Sequence, residues 1–279
     1  MSLKAALLNS LPTRPYLQLQ YFKNYHHFLH IKKPKTYADK LAYLKVYMND
    51  PRLTQLVDKY RVRSFVAERI GEEYLVPLLG VYKDPSEIPW NNLPEKYVLK
   101  CNHDSGSTIL HNGNDSFDRD RSIAILSRHL KKNLYYYARE YPYKGVSPLI
   151  LCEQFLDDGH NLTPNDYKIM CFNGEPKFII VDQNRFVDHH RDVYDTLWNK
   201  LDFRTDHPQT DVVLKKPERL NQMLDLARVL SKGFAHVRVD LYLIGDRIFF
   251  GELTFCPWGG VIRFEPEKWN DVLGEMISL

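Results

Sequence analysis

The chain has 279 residues, of which 44% are hydrophobic and 13% aromatic, and its formal net charge is only +3. This composition is typical of one large packed domain or two closely associated lobes, and it excludes a disordered chain. The near balance of 38 basic and 35 acidic residues argues against a dedicated nucleic-acid-binding protein, so we expect no nucleic-acid partner.

The sequence contains neither a paired-cysteine motif nor a recognisable targeting segment. The four cysteines are scattered and form no CxxC pair, which indicates neither a zinc site nor a disulfide framework. No apolar run approaches the roughly 20 residues that a bilayer-spanning helix needs. The first residues lack the apolar core of a secretory signal. We therefore expect a soluble, cytoplasmic protein.

The first 35 residues are aromatic and basic, with aromatic side chains at helix-like spacings. The pattern is typical of a helix packed on the body, and a docking arm for an anionic partner is the alternative. Residues 36–48 form a clearer helix, because Ala38, Leu41, Leu44 and Met48 share one stripe and Thr36 is a suitable N-cap.

The next predicted helix begins near Asp58 and ends at Ile70, where Gly71 supplies a C-terminal stop. Lys59 then lies in the first turn, where a cation opposes the helix dipole. A bound anion would remove this cost, and a solvated surface lysine is the alternative. Residues 72–96 are punctuated by prolines and predict loops.

A polar loop, residues 101–107, connects a short predicted strand that ends at Lys100 to a strand at 108–111. A small polar loop with glycine can fold over phosphates through its backbone N–H groups. The loop lacks the GxxxxGK[ST] pattern of a Walker A loop, and an ordinary hairpin corner is the alternative.

The following segments predict a helix over 118–140 and a buried strand over 149–155, which carries Glu153. Residues 166–172 and 177–182 predict a hairpin, because they flank the turn sequence Asn-Gly-Glu-Pro. Arg185 follows this hairpin closely. Helices are predicted over 217–231 and 266–279.

Two late strands, 237–242 and 249–254, predict a second hairpin around a Gly-Asp turn. Folding about Asp246 places Asp240 opposite Glu252, and facing Cβ atoms lie about 4.5–5.5 Å apart. Thr254 points to the same face as Glu252. Two carboxylates this close repel unless a proton or a cation lies between them, and a hard divalent cation would resolve the repulsion. Solvated carboxylates, or a register slipped by one residue, are the alternative.

Six segments in this order resemble the ATP-grasp superfamily, and from about residue 36 to the end they resemble its TupA-like, teichuronopeptide-biosynthesis branch. The segments are DKYRVR (58–63), VLKCNHDSG (98–106), EQFL (153–156), DYKIMCFNGEP (166–176), RVDLY (238–242) and FGELTF (250–255). The resemblance implies an α+β fold in which two lobes with antiparallel sheets sandwich ATP. It also implies an N-terminal helical segment at 1–65, a first lobe at 66–155 and a second lobe at 156–279.

The resemblance also implies roles for individual residues. Nucleotide-binding residues would be Lys59 and Lys100 on the phosphates, the loop residues Asn102, Ser105, Gly106 and Ser107, and Glu153 and Phe155 around adenine and ribose. Lys168 and Arg185 would be catalytic, on the γ-phosphate and the acyl phosphate. Asp240, Glu252 and Thr254 would bind Mg²⁺, although many relatives carry Asn where this chain has Thr254.

The implied activity is that of an ATP- and Mg²⁺-dependent carboxylate–amine ligase that forms an amide through an acyl phosphate. Its partners would be a small-molecule or glycan carboxylate and an amine, in bacterial surface polysaccharide or teichuronopeptide biosynthesis, with peripheral association to membrane-bound polysaccharide machinery. A kinase-like phosphotransferase and a non-catalytic ATP-grasp scaffold are the alternatives.

Overall fold

The computed structural model describes residues 10–113, 117–159 and 162–279. Its helices and strands alternate irregularly along the chain. The helices are α1 (Thr13–Tyr25), α2 (Tyr37–Tyr47), α3 (Arg52–Val57), α4 (Val62–Ile70), α5 (Arg119–Leu130), α6 (Tyr135–Ala138), α7 (Leu220–Ser231) and α8 (Trp269–Glu275). The strands are β1 (Leu78–Tyr82), β2 (Lys96–Cys101), β3 (Ile109–Asn112), β4 (Ile150–Gln154), β5 (Asp166–Phe172), β6 (Glu175–Gln183), β7 (His190–Asp195), β8 (His236–Ile244) and β9 (Arg247–Thr254).

The strands form two antiparallel sheets. The smaller sheet has the order β1-β4-β2-β3 and the larger one the order β7-β6-β5-β8-β9. One face of the smaller sheet packs Leu99 and Cys152 against Leu126 of α5. This burial leaves the opposite face, with Val98 and Lys100, available to a ligand.

Both faces of the larger sheet are buried, each by a different set of helices. On one face, Ile169 and its neighbours pack against α3, α4 and α7. On the other face, Met170 and Phe172 pack against α2 and α8. Side chains alternate along β5, so Asp166 and Lys168 lie on the same face as Met170. That face is therefore apolar at one end and charged at the other.

Several predicted elements are confirmed. Thr36 caps α2 through a capping box with Asp39, which fixes the start of that helix. Gly71 ends α4 with a φ of 116°, as the sequence predicts. The hairpins β5–β6 and β8–β9 form as expected.

Three predictions are wrong. The helix expected from Asp58 begins at Val62, because the Asp58 carboxylate accepts the N–H groups of Tyr60 and Arg61 and holds a turn there. The single helix expected over 118–140 is two helices, α5 and α6, and the Asn133 side chain accepts the N–H of Tyr135 where the second begins. The proline-rich passage contains strand β1, which pairs with β4 at the sheet edge, where flanking prolines are tolerated.

Two further features bear on the predicted organisation. Helix α4 runs across the boundary predicted at residue 65. Within the described ranges, no helix is long and apolar enough to cross a bilayer.

Candidate functional site

A cleft of about 330 Å³ opens between the two sheets. The smaller sheet supplies Val98, Lys100 and Glu153 to its lining, and the larger sheet supplies Lys168 and Asp240. Further lining residues include Lys59, Asp104, Ser105, Gly106, Phe155, Asp166, Asp182, Arg185, Arg191, Arg238, Glu252 and Trp258. The cleft thus has one largely apolar wall and one densely charged wall.

On the apolar wall, Glu153 pairs with two cations. Nζ of Lys100 on β2 lies 2.5 Å from Oε2 of Glu153 on β4, and Arg63 of α4 approaches the other oxygen of Glu153 at 3.9 Å. Val98 pairs directly with Glu153 across the ladder. An apolar surface with a few convergent polar groups is the usual lining of a small-molecule site.

Lys59 connects the two walls. Its Nζ donates to the carbonyl of Asp104 at 2.7 Å and lies 3.2 Å from Oε2 of Glu252 on β9. Its backbone N–H donates to the carbonyl of Asn102 at 2.9 Å. The lysine therefore lies inside the cleft, and the solvated alternative does not hold.

The loop after β2 divides into buried and exposed parts. Asn102 is fully buried and donates to Asp58 and to the carbonyl of Ser147. The Ser107 hydroxyl accepts the N–H of Cys101 and donates to Asp104. Neither side chain lines the cleft, whereas the exposed Ser105 and Gly106 do.

Asp240 and Glu252 are paired directly across β8 and β9, as the sequence predicts. Arg238 bridges them, since its Nε and Nη2 each lie 2.7 Å from an oxygen of Asp240 and its Nη2 lies 2.9 Å from Oε1 of Glu252. Thr254 lies opposite Arg238, donates to Glu252 at 3.2 Å and does not line the cleft.

Lys168 is surrounded by carboxylates. Its Nζ contacts Asp166, lies 3.0 Å from Asp240 and lies 3.6 Å from Asp182. Arg185 lies 2.9 Å from the same oxygen of Asp166. Lys168 and Arg185 therefore meet at one carboxylate.

Charge interactions outweigh burial for some of these acids. Burial alone would raise the pKa of Glu252, but Lys59, Arg238 and Lys168 hold that pKa well below its ordinary value. Burial raises the pKa of Asp240, against the opposing charges of Arg238 and Lys168. Asp182 has a lowered pKa because Arg191 and Lys168 outweigh its burial.

The donor set suits a hard cation bound together with phosphate oxygens. No three His, Cys, Asp or Glu side chains of the described residues form a ready-made metal site. Mg²⁺, however, uses one or two carboxylates and takes its remaining ligands from phosphates and water. Asp240 and Glu252 supply this number, and Oδ1 of Asp166 on the cleft wall is buried with no hydrogen-bond partner among the described residues.

Outside the polar loop, sequence reasoning missed four charged residues of the cleft: Asp166, Asp182, Arg191 and Arg238. Arg238 was detectable, because it lies two residues before Asp240 and so on the same face of the strand. Asp166 was detectable by the same spacing from Lys168. Asp182 and Arg191 were not, because their pairing at 2.5 Å depends on the unpredicted strand β7.

Comparisons with known proteins give a family. A comparison with curated proteins gives no significant match. The D-alanine–D-alanine ligase of Bacillus anthracis, solved with ATP, is 13% identical at a TM-score of 0.42 over 77% of this chain and 60% of that one. The ATP-grasp ligase PsnB, solved with a minimal precursor, is 12% identical at a TM-score of 0.40 over 77% and 59%. The chain thus spans about three fifths of the length of these ligases.

A family model described as TupA-like ATPgrasp matches residues 39–278, which is most of the chain. The α+β fold with two antiparallel sheets, expected from the sequence, is confirmed. The chain belongs to the TupA-like ATP-grasp family.

Proposed function

We propose that this protein is an ATP- and Mg²⁺-dependent ligase that joins a carboxylate to an amine through an acyl phosphate. One observation carries the proposal: cations from both sheets converge on the cleft in which Asp240 and Glu252 stand side by side. Such a cleft can bind a polyphosphate, and the proposed reaction needs no side-chain nucleophile.

The nucleotide would bind across the two walls. Its base and ribose would lie on the apolar wall beside Glu153 and Phe155, and Lys59 and Lys100 would bind its phosphates. Ser105 and Gly106 would cover them, since these loop residues are exposed at the cleft. Water excluded by this loop could not hydrolyse an acyl phosphate.

The charged wall would perform the transfer. A substrate carboxylate oxygen forms a bond to the γ-phosphorus while the bond to ADP breaks, and an amine nitrogen then displaces phosphate from the acyl carbon. Lys168, Arg185 and Arg238 would orient the transferred group and stabilise its negative charge. Asp240 and Glu252 would hold Mg²⁺, which supplies positive charge for the leaving phosphates.

Family membership supports a surface-polymer substrate, such as a uronic-acid or peptide carboxylate coupled to an amino acid in polysaccharide or teichuronopeptide biosynthesis.

Two alternatives differ in their chemistry. In the kinase-like alternative, the γ-phosphate is transferred to a hydroxyl and not to a carboxylate. The non-catalytic alternative is favoured by one observation, because Arg238, Lys59 and Lys168 already neutralise both acids. In a scaffold this neutralised state would be permanent.

One experiment separates the three functions. The protein is incubated with ATP, MgCl₂, a panel of uronic acids and amino acids, and ADP release is followed together with product mass. The ligase is supported if ADP release depends on both acid and amine and if the product mass equals the sum of the two substrates minus one water. A stable phosphorylated product supports the kinase. Tight ATP binding without turnover across the panel supports the scaffold.

A further inference from the structure

Helix α1 has apolar side chains on two opposite faces. Leu17 and Tyr21 point inward and are each 3% exposed. Leu19 and Phe22 lie on the far side of the helix and are 50% and 40% exposed. Phe28 is 56% exposed and stacks on Phe22, with ring centroids 4.8 Å apart. Leu19, Phe22 and Phe28 form an outward patch, which we call the apolar tip.

The apolar tip is held firmly. Leu17 and Tyr21 pack with Leu29 and Ile31 in one buried cluster. Gln18 donates to the carbonyl of Leu29 at 2.8 Å and accepts its N–H at 2.9 Å. These contacts tie the segment that carries Phe28 to the helix that carries Phe22. The outward face is therefore presented by a helix that is already packed on the body.

The segment that carries the apolar tip has charged side chains of one sign. Residues 1–38 contain no Asp or Glu. Lys23, Lys32, Lys33 and Lys35 are exposed and form what we call the basic rim. The first acid of the chain, Asp39, is only 3% exposed, and its carboxylate accepts the N–H groups of His30 and Thr36. Its charge is therefore turned inward and does not offset the basic rim.

We propose that the apolar tip and the basic rim dock this protein on the surface of an anionic lipid bilayer. Aromatic and aliphatic side chains flanked by lysines are the combination that inserts into the interface of such a membrane. A second copy of the chain is a poorer occupant, because a two-fold contact at the apolar tip would bring two basic rims together. None of these residues lines the cleft, so the docking is independent of the proposed ligase activity.

Vesicle co-sedimentation of the full chain tests the proposal, with phosphatidylglycerol–phosphatidylcholine vesicles compared with pure phosphatidylcholine. We expect binding to the anionic vesicles that weakens with salt. Each lysine near an anionic surface raises the partition coefficient about fivefold. The double change Lys32→Gln with Lys33→Gln should therefore lower it about 30-fold. Replacing Leu19, Phe22 and Phe28 by Ser should abolish binding while thermal unfolding stays close to wild type.

The chain offers matched controls on another surface. Lys215→Gln with Lys216→Gln removes an adjacent pair of exposed lysines, and Val212→Ser with Val213→Ser removes two apolar side chains that are 70% and 60% exposed. Both controls should bind vesicles like wild type. Equal losses in test and control variants, or equal binding to both vesicle types, would overturn the proposal.

Two other outcomes would assign the surface to a different occupant and so reject the membrane. Heparin is one probe: if it competes fully with vesicles, and if Leu19→Ser, Phe22→Ser and Phe28→Ser together leave heparin binding unchanged, the occupant is a soluble anionic polymer. If sedimentation equilibrium shows a dimer that the same triple variant dissociates, the occupant is a second copy.

Discussion

Asp240 and Glu252 face each other only because the register of the β8–β9 ladder shifts between Leu241 and Asp240. From the turn upward, Ile244 pairs with Arg247 and Leu241 pairs with Phe250. A regular continuation would pair Asp240 with Gly251 and send Glu252 to the opposite face. A bulge inserts Gly251 as an unpaired residue and brings Glu252 opposite Asp240.

Gly251→Ala should therefore disrupt the acid pair. A Cβ at this position would lie 3.1 Å from the carbonyl oxygen of Asp240, 3.2 Å from Cε2 of Tyr242 and 3.4 Å from Cβ of Asp240, so these neighbours must move by a few tenths of an ångström. We expect a loss of about 1–3 kcal/mol in the free energy of unfolding, as for other overpacked sites, and a larger relative loss of turnover. Gly245→Asn on the same hairpin has open space, and asparagine tolerates the left-handed φ of 59° better than other side chains, so this control should keep its turnover and lose at most about 1 kcal/mol. Urea unfolding and ADP release provide the measurements, and an active Gly251→Ala would contradict the role of the bulge.

The acids themselves are tested by Asp240→Asn and Glu252→Gln. Each change keeps the side-chain shape and removes one negative charge, so we expect turnover to fall at least about 100-fold while the fold persists. Thr254→Val should cost less than about threefold, because Thr254 lies outside the cleft and donates to Glu252 through one weak hydrogen bond. Steady-state ADP release at several Mg²⁺ concentrations measures all three, and near-normal activity of both acid variants would remove the metal assignment.

Arg238→Met should reveal the metal site without any substrate. The change removes the shared guanidinium from the buried Asp240 and the partly exposed Glu252, at a cost of about 3 kcal/mol, the low end for a broken buried pair. Millimolar Mg²⁺ should then raise the melting temperature of Arg238→Met far more than that of wild type. Arg191→Met, which removes a guanidinium from Asp182 instead, serves as the control and should gain little from Mg²⁺. Equal gains in both variants would argue that the cation binds elsewhere.

Lys100→Ala should weaken ATP binding about 10- to 100-fold, which corresponds to one charge-assisted hydrogen bond. Lys96 is a matched control on the same strand, because it is exposed and pairs with Asp157 rather than Glu153. Isothermal titration calorimetry of both variants measures the difference. Unchanged affinity in Lys100→Ala would count against a phosphate-binding role.

His236 should make the protein acid-sensitive. Its Nδ1 donates to the carbonyl of Cys171 at 2.9 Å, so its Nε2 accepts the Tyr37 hydroxyl at 3.0 Å and the ring is neutral. Burial, aided by the charge of Arg238, lowers the pKa of His236 from 6.5 to about 4. The unfolded chain therefore takes up the proton first, and stability falls as the pH drops from about 6.5 toward 4, by up to about 3 kcal/mol.

His236→Asn keeps a donor for Cys171 and removes the titration. The variant should be less stable overall, because ring packing is lost, but its free energy of unfolding should change less between pH 6.5 and 4. Urea unfolding at four pH values gives this slope. His26→Asn, at an exposed position, should keep the wild-type slope. A His236→Asn slope equal to wild type would refute the assignment.

Local pattern was sufficient for much of the site. Five predicted residues line the cleft, and each belongs to a strand that the local sequence predicts: Lys100, Glu153, Lys168, Asp240 and Glu252. The loop prediction was partly right, since Ser105 and Gly106 reach the cleft but the side chains of Asn102 and Ser107 do not. The burial of Asn102 depends on partners 44 to 47 residues away, such as Ser147, which no local pattern reports.

The sequence alone determined most of the strand and helix types, the family resemblance and which charged residues share a strand face, because these follow from short-range patterns. Only the tertiary structure decided which charges meet. Arg238 bridges Asp240 and Glu252 across a bulged ladder, and Arg191 reaches Asp182 from a strand that no local pattern predicts. Such contacts depend on register and strand order, which are set by long-range packing and not by the residues next to them in the chain.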